Sequence, residues 1–200
     1  MTLENKTILI TGAARRLGNA TAIFLAQQGA NLVLHYNSSS TEVEITKKAI
    51  VDLGSRCWTI QADLSNLADL SALIEMAVSF SPLDGLINNA SLFKPLTMEQ
   101  TTLTDWENHL RINLTAPFFL TQQFARTYNQ PEVGRVINLV DWRALRPGKD
   151  HFPYTISKSA LVALTKAAAL SLAPRITVNA IALGAILPPE NEAENPDLLK

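Results

Sequence analysis

The chain has a single cysteine, Cys57, in 200 residues. It can form neither an intrachain disulfide nor a thiolate metal cluster, and it reads as a small core residue at the start of a strand. Charge of one sign is also scarce. Seventeen Lys and Arg stand against eighteen Asp and Glu, with no basic block to follow a phosphate backbone, so nucleic acid is not an expected partner. His35, His109 and His151 have no metal-ligand spacing with one another or with Cys57, and no metal site is expected. No apolar run reaches the roughly 18 residues of a membrane span. The opening Met1 to Lys6 lacks the basic and then apolar regions of a secretion signal. A soluble cytoplasmic protein that does not engage membranes is the expectation.

What is present is alternation. Thr7 to Ile10 is a short apolar run that breaks at Thr11-Gly12, after which apolar residues recur at helical spacing through Leu17, Ala20, Ile23, Phe24 and Ala26. The pattern repeats. Strands are predicted at Asn31–Tyr36, Cys57–Gln61, Gly85–Asn88, Arg135–Val140 and Ile176–Ile181. Helices are predicted from about Thr41 to Leu53, Leu67 to Phe80, as a pair within Leu103 to Tyr128, and from about Tyr154 to Leu172. Strands alternating with helices imply one α/β domain over residues 1–200, a doubly wound parallel sheet of Rossmann type with helices on both faces. The apolar, β-branched strands fit burial on both sides. The polar, proline-rich Pro188 to Pro196 is expected to form a loop.

Two stretches carry chemistry. Thr11-Gly-Ala-Ala-Arg-Arg-Leu-Gly18 lies between the first strand and the first helix, where backbone N–H groups and the helix dipole favour a pyrophosphate. Gly12 permits the tight turn and Gly18 lets the helix pack closely, while Arg16 stands where the usual fingerprint has its middle glycine. An ordinary strand-to-helix turn with two solvated arginines would look the same in isolation. After the second strand, His35-Tyr36-Asn37-Ser38 offers no carboxylate for ribose hydroxyls. A 2′-phosphate held by hydroxyls, backbone N–H groups and Arg15 would suit it, so NADPH is expected over NADH. The same residues would also serve as a simple turn and helix cap.

Further along, Tyr154 and Lys158 project from one helical face. An ammonium there is expected to lower the tyrosine pKa. The pair is the apparatus a hydride-transfer reductase needs, a proton donor with a lysine that reaches the nicotinamide ribose. Asp141 ends the predicted fifth strand, at the sheet edge where ligands bind in such folds.

Taken in order, Thr11-Gly12 with Gly18, Asn88-Asn89-Ala90, Asn113, Tyr154-x-x-x-Lys158 and Asn179 before Gly184 resemble the short-chain dehydrogenases/reductases over essentially the whole chain. Within that family, Arg16, His35-Tyr-Asn-Ser, Gln61-Ala-Asp63-Leu64, Asn89-Ala-Ser91-Leu-Phe93 and Asp141 most resemble the pteridine reductases. The resemblance implies a catalytic set of Asp141, Tyr154, Lys158 and Asn113, the last supporting Lys158 through its helix backbone. It implies NADPH contacts from Gly12, Arg15, Arg16, Leu17, Gly18, His35, Tyr36, Asn37 and Ser38. Asp63 and Leu64 would lie at the adenine and Asn88, Asn89, Ala90 and Ser91 nearby, with Tyr154, Lys158 and Gly184 completing the set. Phe93 would stack a pterin or folate, with Arg16, Ser91, Asp141 and Tyr154 around it. Trp142 would either wall the pocket or pack.

Asp141 stands where the family usually has serine. An ionised carboxylate would repel a ketone oxyanion but can relay a proton to a ring nitrogen and hold an amino-substituted ring, which favours C=N reduction; a turn cap in an enzyme that has simply lost its serine would look the same. A carbonyl or imine reductase of another substrate, or an NADPH-binding regulatory module without turnover, would use the same scaffold. Relatives continue through about one more helix and a seventh strand, so the chain reads as truncated at its end. The resemblance also implies a homo-oligomer, in most members a tetramer.

Overall fold

The computed structural model describes residues 2–184 and 186. Six strands, β1 (Thr7–Ile10), β2 (Asn31–Tyr36), β3 (Cys57–Gln61), β4 (Gly85–Asn88), β5 (Gly134–Asp141) and β6 (Ile176–Leu183), alternate with helices. The helices are α1 (Arg16–Gln27), α2 (Ser40–Asp52), α3 (Leu67–Phe80), α4 (Leu103–Leu110), α5 (Ala116–Thr127) and α6 (Phe152–Leu172). All strands are parallel, in the order β3-β2-β1-β4-β5-β6. The chain reverses its winding between β1 and β4, and the crevice outside their carboxyl ends is where ligands bind in such sheets.

Period-two side chains explain why both faces are apolar. Leu9, Val33, Leu86 and Val136 point to one layer, where they meet Leu70, Leu73, Leu120 and Phe124 of α3 and α5. Ile8, Ile10, Leu32 and Leu34 point the other way, onto Ala22, Ala26, Val43 and Ile50 of α1 and α2. A strand buried on both faces therefore reads as a continuous apolar run. β6 differs: Ile176 and Val178 are buried while Thr177, Asn179, Ala180 and Ile181 are exposed.

The expected elements appear with bounds shifted by one or two residues. Among these shifts, β5 gains one residue at each end and so includes Asp141, and β6 runs two residues further, to Leu183. The predicted helical pair is α4 and α5 joined by a π-helical turn, Arg111–Thr115, with Asn113 buried in its middle. Such turns inside helices concentrate at functional sites. No helix among the described residues is long and apolar enough to cross a membrane. The proline-rich Pro188 to Pro196 lies outside the described residues.

Candidate functional site

The turn from β1 into α1 is held open by bonds made within the protein. Gly12 has φ +62, and a Cβ there would come to 3.0 Å from the Ala90 backbone. Its N–H donates to His35 Nδ1 at 3.1 Å, and the opposite ring nitrogen, Nε2, lies 3.0 Å from the Ala62 carbonyl. Because Gly12 N–H can only donate and Ala62 O only accept, one neutral tautomer satisfies both, with the proton on Nε2. Burial holds the imidazole pKa down to about 4, against smaller upward pulls from the Ala62 carbonyl and Asp63. On the far side, the Asn89 and Ala90 N–H groups donate to Thr11 Oγ1 at 3.0 Å each, and Asn89 Nδ2 donates to the Thr11 and Gly12 carbonyls. The turn is thus pinned to β2 and to β4, its two neighbours across the sheet.

Gly18 is fixed by packing: a Cβ would meet the Gly12 carbonyl oxygen at 2.1 Å. Arg16 adopts φ +51, so the arginine keeps the left-handed backbone that the absent middle glycine would take freely, at a cost of roughly 1–2 kcal/mol. Arg15 caps α1 with no side-chain hydrogen bond, and no acid lies in the first turn. The first N–H groups of α1 therefore have no side-chain cap, and they start next to two arginines, an arrangement that favours a bound anion.

Above this turn opens a cavity of about 440 Å³, within the usual range for a small-molecule site. Of the expected cofactor residues, Gly12, Arg15, Arg16, Leu17, Gly18, His35, Tyr36, Asn37, Ser38, Asp63, Leu64, Asn89, Ala90 and Ser91 all line it. Ala14, Ser39, Leu92 and Ile112 line it too, and sequence reasoning did not single them out. The β2 end contributes no carboxylate. Asp63 uses Oδ1 to accept the Ser65 N–H at 2.9 Å, closing its own turn.

A second cluster lies at the ends of β5 and α6, outside that cavity. Tyr154 Oη donates to Asp141 Oδ2 at 3.1 Å. Asp141 Oδ1 in turn accepts the Arg143 N–H at 2.8 Å. Lys158 is 3% exposed, donates to the Leu139 carbonyl at 2.8 Å, and sits 5.8 Å from the Tyr154 ring centroid. Burial draws its pKa down to about 8, opposed by Asp141. Tyr154 departs from expectation. Burial first, and the Asp141 charge and hydrogen bond next, push its pKa well above the usual phenol value. The lowering expected from Lys158 is absent: the hydroxyl is buried, and it bonds a carboxylate. Phe93 and Tyr154 lie nearly perpendicular, centroids 4.7 Å apart, and the Phe93 ring is stacked on His151 at 4.1 Å.

Asn113 joins the two regions. Its Oδ1 accepts from Leu92 N–H at 2.7 Å and from Ser91 Oγ at 3.3 Å, while Nδ2 donates to Leu92 O at 2.9 Å and Ser157 Oγ at 3.0 Å. The contact of Asn113 with α6 therefore runs through the side chain of Ser157, the neighbour of Lys158, which bonds the Tyr154 carbonyl at 2.7 Å. Asn88 is placed differently from the cofactor contact expected of it. It is buried and donates to Asn138 Oδ1 at 2.7 Å, whose own amide continues to Thr165, so its side chain faces the sheet interior. Gly184 is exposed just beyond Leu183, the residue in register with Asp141, and does not line the cavity. Trp142 is also exposed and lies under the Arg143 guanidinium. Arg143 and His151 were missed as neighbours of the cluster. The one available signal was their proximity in sequence to Asp141 and Tyr154.

Residues 6–198 match the family model described as short chain dehydrogenase. Among solved structures, the chain is similar to FolM alternative dihydrofolate reductase 1 from Brucella suis in complex with NADP. The two are 35% identical over 98% of this chain and 82% of that chain, with a TM-score of 0.85. A double mutant of a Serratia marcescens short-chain dehydrogenase/reductase is 33% identical over 99% of this chain and 81% of that one, with a TM-score of 0.90. Among curated proteins, a 3-oxoacyl-(acyl-carrier-protein) reductase of Synechocystis is 32% identical, covering 92% of this chain and 75% of its own length.

Proposed function

The chain belongs to the short-chain dehydrogenase family, and we propose that it is an NADPH-dependent reductase of a pterin-type C=N bond, in dihydropterin or dihydrofolate. The hydrogen bond from Tyr154 to the Asp141 carboxylate carries the reading. The similar Brucella proteins named alternative dihydrofolate reductase, solved with NADP, support it.

The residues present fit the dinucleotide. An uncapped helix start with two arginines suits the pyrophosphate, and Tyr36, Asn37, Ser38 and Ser39 line the β2 end without a carboxylate to repel a 2′-phosphate. Bound NADPH supplies the hydride. Lys158 has one hydrogen-bond acceptor among the described residues, the Leu139 carbonyl, leaving two ammonium donors for ribose hydroxyls. Tyr154, its proton held tightly by burial and by Asp141, stays a neutral acid through the working pH. It gives that proton up at Oη only when the ring nitrogen becomes strongly basic as the adjacent carbon accepts hydride. Asp141 keeps the phenol oriented, and its outward lone pairs suit the N–H groups of an amino-substituted ring. Phe93 offers an aromatic wall for that ring.

Ketone reduction is the second reading, favoured by the 3-oxoacyl-(acyl-carrier-protein) reductases among the curated relatives. A cytoplasmic homo-oligomer, a tetramer by resemblance, belongs to the same proposal; light scattering on the eluting protein checks its size. NADPH oxidation by the purified protein with dihydrobiopterin and dihydrofolate, beside a panel of simple ketones and with NADH in parallel, tests the function. Turnover of pterins with NADPH preferred is expected. Turnover of ketones alone would replace the proposal with the second reading.

A further inference from the structure

His151 lies directly before α6, at φ +54 and ψ 42, with no side-chain cap to the helix it precedes. A left-handed histidine at that position is strained, and extended backbone is the usual choice there. The strained conformation aims the imidazole at Phe93. The two rings stack with centroids 4.1 Å apart and planes 16° from parallel, while Phe93 meets Tyr154 nearly perpendicular at 4.7 Å. His151 Nδ1 is 2.7 Å from Asp150 Oδ2. Arg143 lies 3.5 Å from the same Asp150 oxygen and 3.8 Å from Asp141 Oδ1, and its guanidinium carbon is 5.9 Å from the Phe93 centroid. The loop that carries Phe93 is tied to the start of α6 a second time, where Phe152 N–H donates to the Leu96 carbonyl at 2.7 Å.

We propose that His151 is a positioning residue for substrate specificity: stacked on Phe93 and braced by Asp150, it fixes the Phe93 ring relative to Tyr154 so that a flat heteroaromatic substrate meets a preset wall. The role rests on the pterin reading of the site. Phe93 is half exposed and hangs from a loop, so an unbraced ring would adopt other rotamers, and each encounter with substrate would have to order it first. The backbone strain at His151 is the cost of that preorganisation. Asp150 and Arg143 couple the brace to Asp141, so the aromatic wall and the proton-donating pair share one network.

The test separates bracing from simple helix initiation. Gly fits a left-handed backbone best and Asn tolerates it, so His151→Gly and His151→Asn should melt at or above the wild-type temperature. Their KM for dihydrobiopterin should nevertheless rise by about three- to tenfold, the range for one lost aromatic contact. Their kcat and their KM for NADPH should stay within about twofold of wild type. His151→Phe, which keeps the ring and loses only the Asp150 contact, should recover most of the lost affinity. Wild-type KM for dihydrobiopterin in the Gly and Asn variants, or a fall in kcat together with a rise in both KM values, would overturn the role of His151 while leaving the pterin reading intact. A wild-type protein that turns over no pterin would overturn both.

Discussion

Around Gly12 the turn is held by backbone and neutral side chains whose hydrogen bonds close within the protein, with Arg15 and Arg16 at its rim; around Asp141 the site is made of charged and aromatic side chains that keep groups for a ligand. In the first region His35, Thr11 and Asn89 spend their polar atoms on the turn itself. In the second, Tyr154 and Asp141 hold each other, Lys158 has donors to spare, and Phe93 rests on His151. The difference matches two tasks. A cofactor common to many enzymes needs a rigid cradle, whereas a particular substrate needs groups that can exchange protons and accept a ring.

If that division is right, damage to each region should have a different signature. The largest effect is expected from Tyr154→Phe, which removes the proton donor: kcat should fall about 100- to 10,000-fold, with NADPH affinity, followed by fluorescence titration, changed less than threefold. A matching loss of NADPH binding would mean that the two regions are one. The next is a pH effect confined to the cradle. His35 has its pKa held near 4 in the folded protein against about 6.5 unfolded. The unfolded chain therefore binds the extra proton first, and stability present above pH 6.5 is lost as pH falls toward 4, by on the order of 3 kcal/mol. Urea melts across that window should show the slope, and His35→Phe should flatten it.

Gly18→Ala tests the packing. Its Cβ would collide with the Gly12 carbonyl, so the turn must shift, at roughly 1–3 kcal/mol of stability together with a weakened NADPH titration. An alanine that binds NADPH normally would contradict the closeness of the turn. The smallest effect is expected from Lys158, whose proton is lost through about pH 8. In the free enzyme, kcat/KM should decline along an alkaline limb near that value, while the stability change at Gly18 shows no such limb.

How much was legible in the sequence follows the same division. The strands and helices announce themselves because both faces of a parallel sheet are buried, and the apolar runs need no knowledge of what covers them. The cradle is local, with Thr11 to Gly18 contiguous and bounded by a strand and a helix, so its residues could be named from spacing and resemblance. The role of His35 could not. Its ring reaches Gly12 and Ala62 across two strand pairings, and nothing in His35-Tyr-Asn-Ser distinguishes a buried brace from a ligand contact. Asn88 and Asn89 show the same limit, since alternation along β4 sends one amide into the sheet and the next to the turn. The raised pKa of Tyr154 comes from burial first and the Asp141 carboxylate next, and helical spacing to Lys158 said nothing of either. His151 was invisible for a further reason: its position follows from a left-handed backbone that no residue type there signals.

The central claim is that Asp141 makes this a C=N reductase, and Asp141→Ser, which restores the residue usual in the family, tests it most directly. NADPH oxidation should be measured for wild type and variant with dihydrobiopterin and with a simple ketone. The account predicts that pterin turnover is lost, NADPH binding is kept, and the ratio of ketone to pterin activity rises. Pterin turnover that survives the substitution, or both activities falling in parallel, would contradict it.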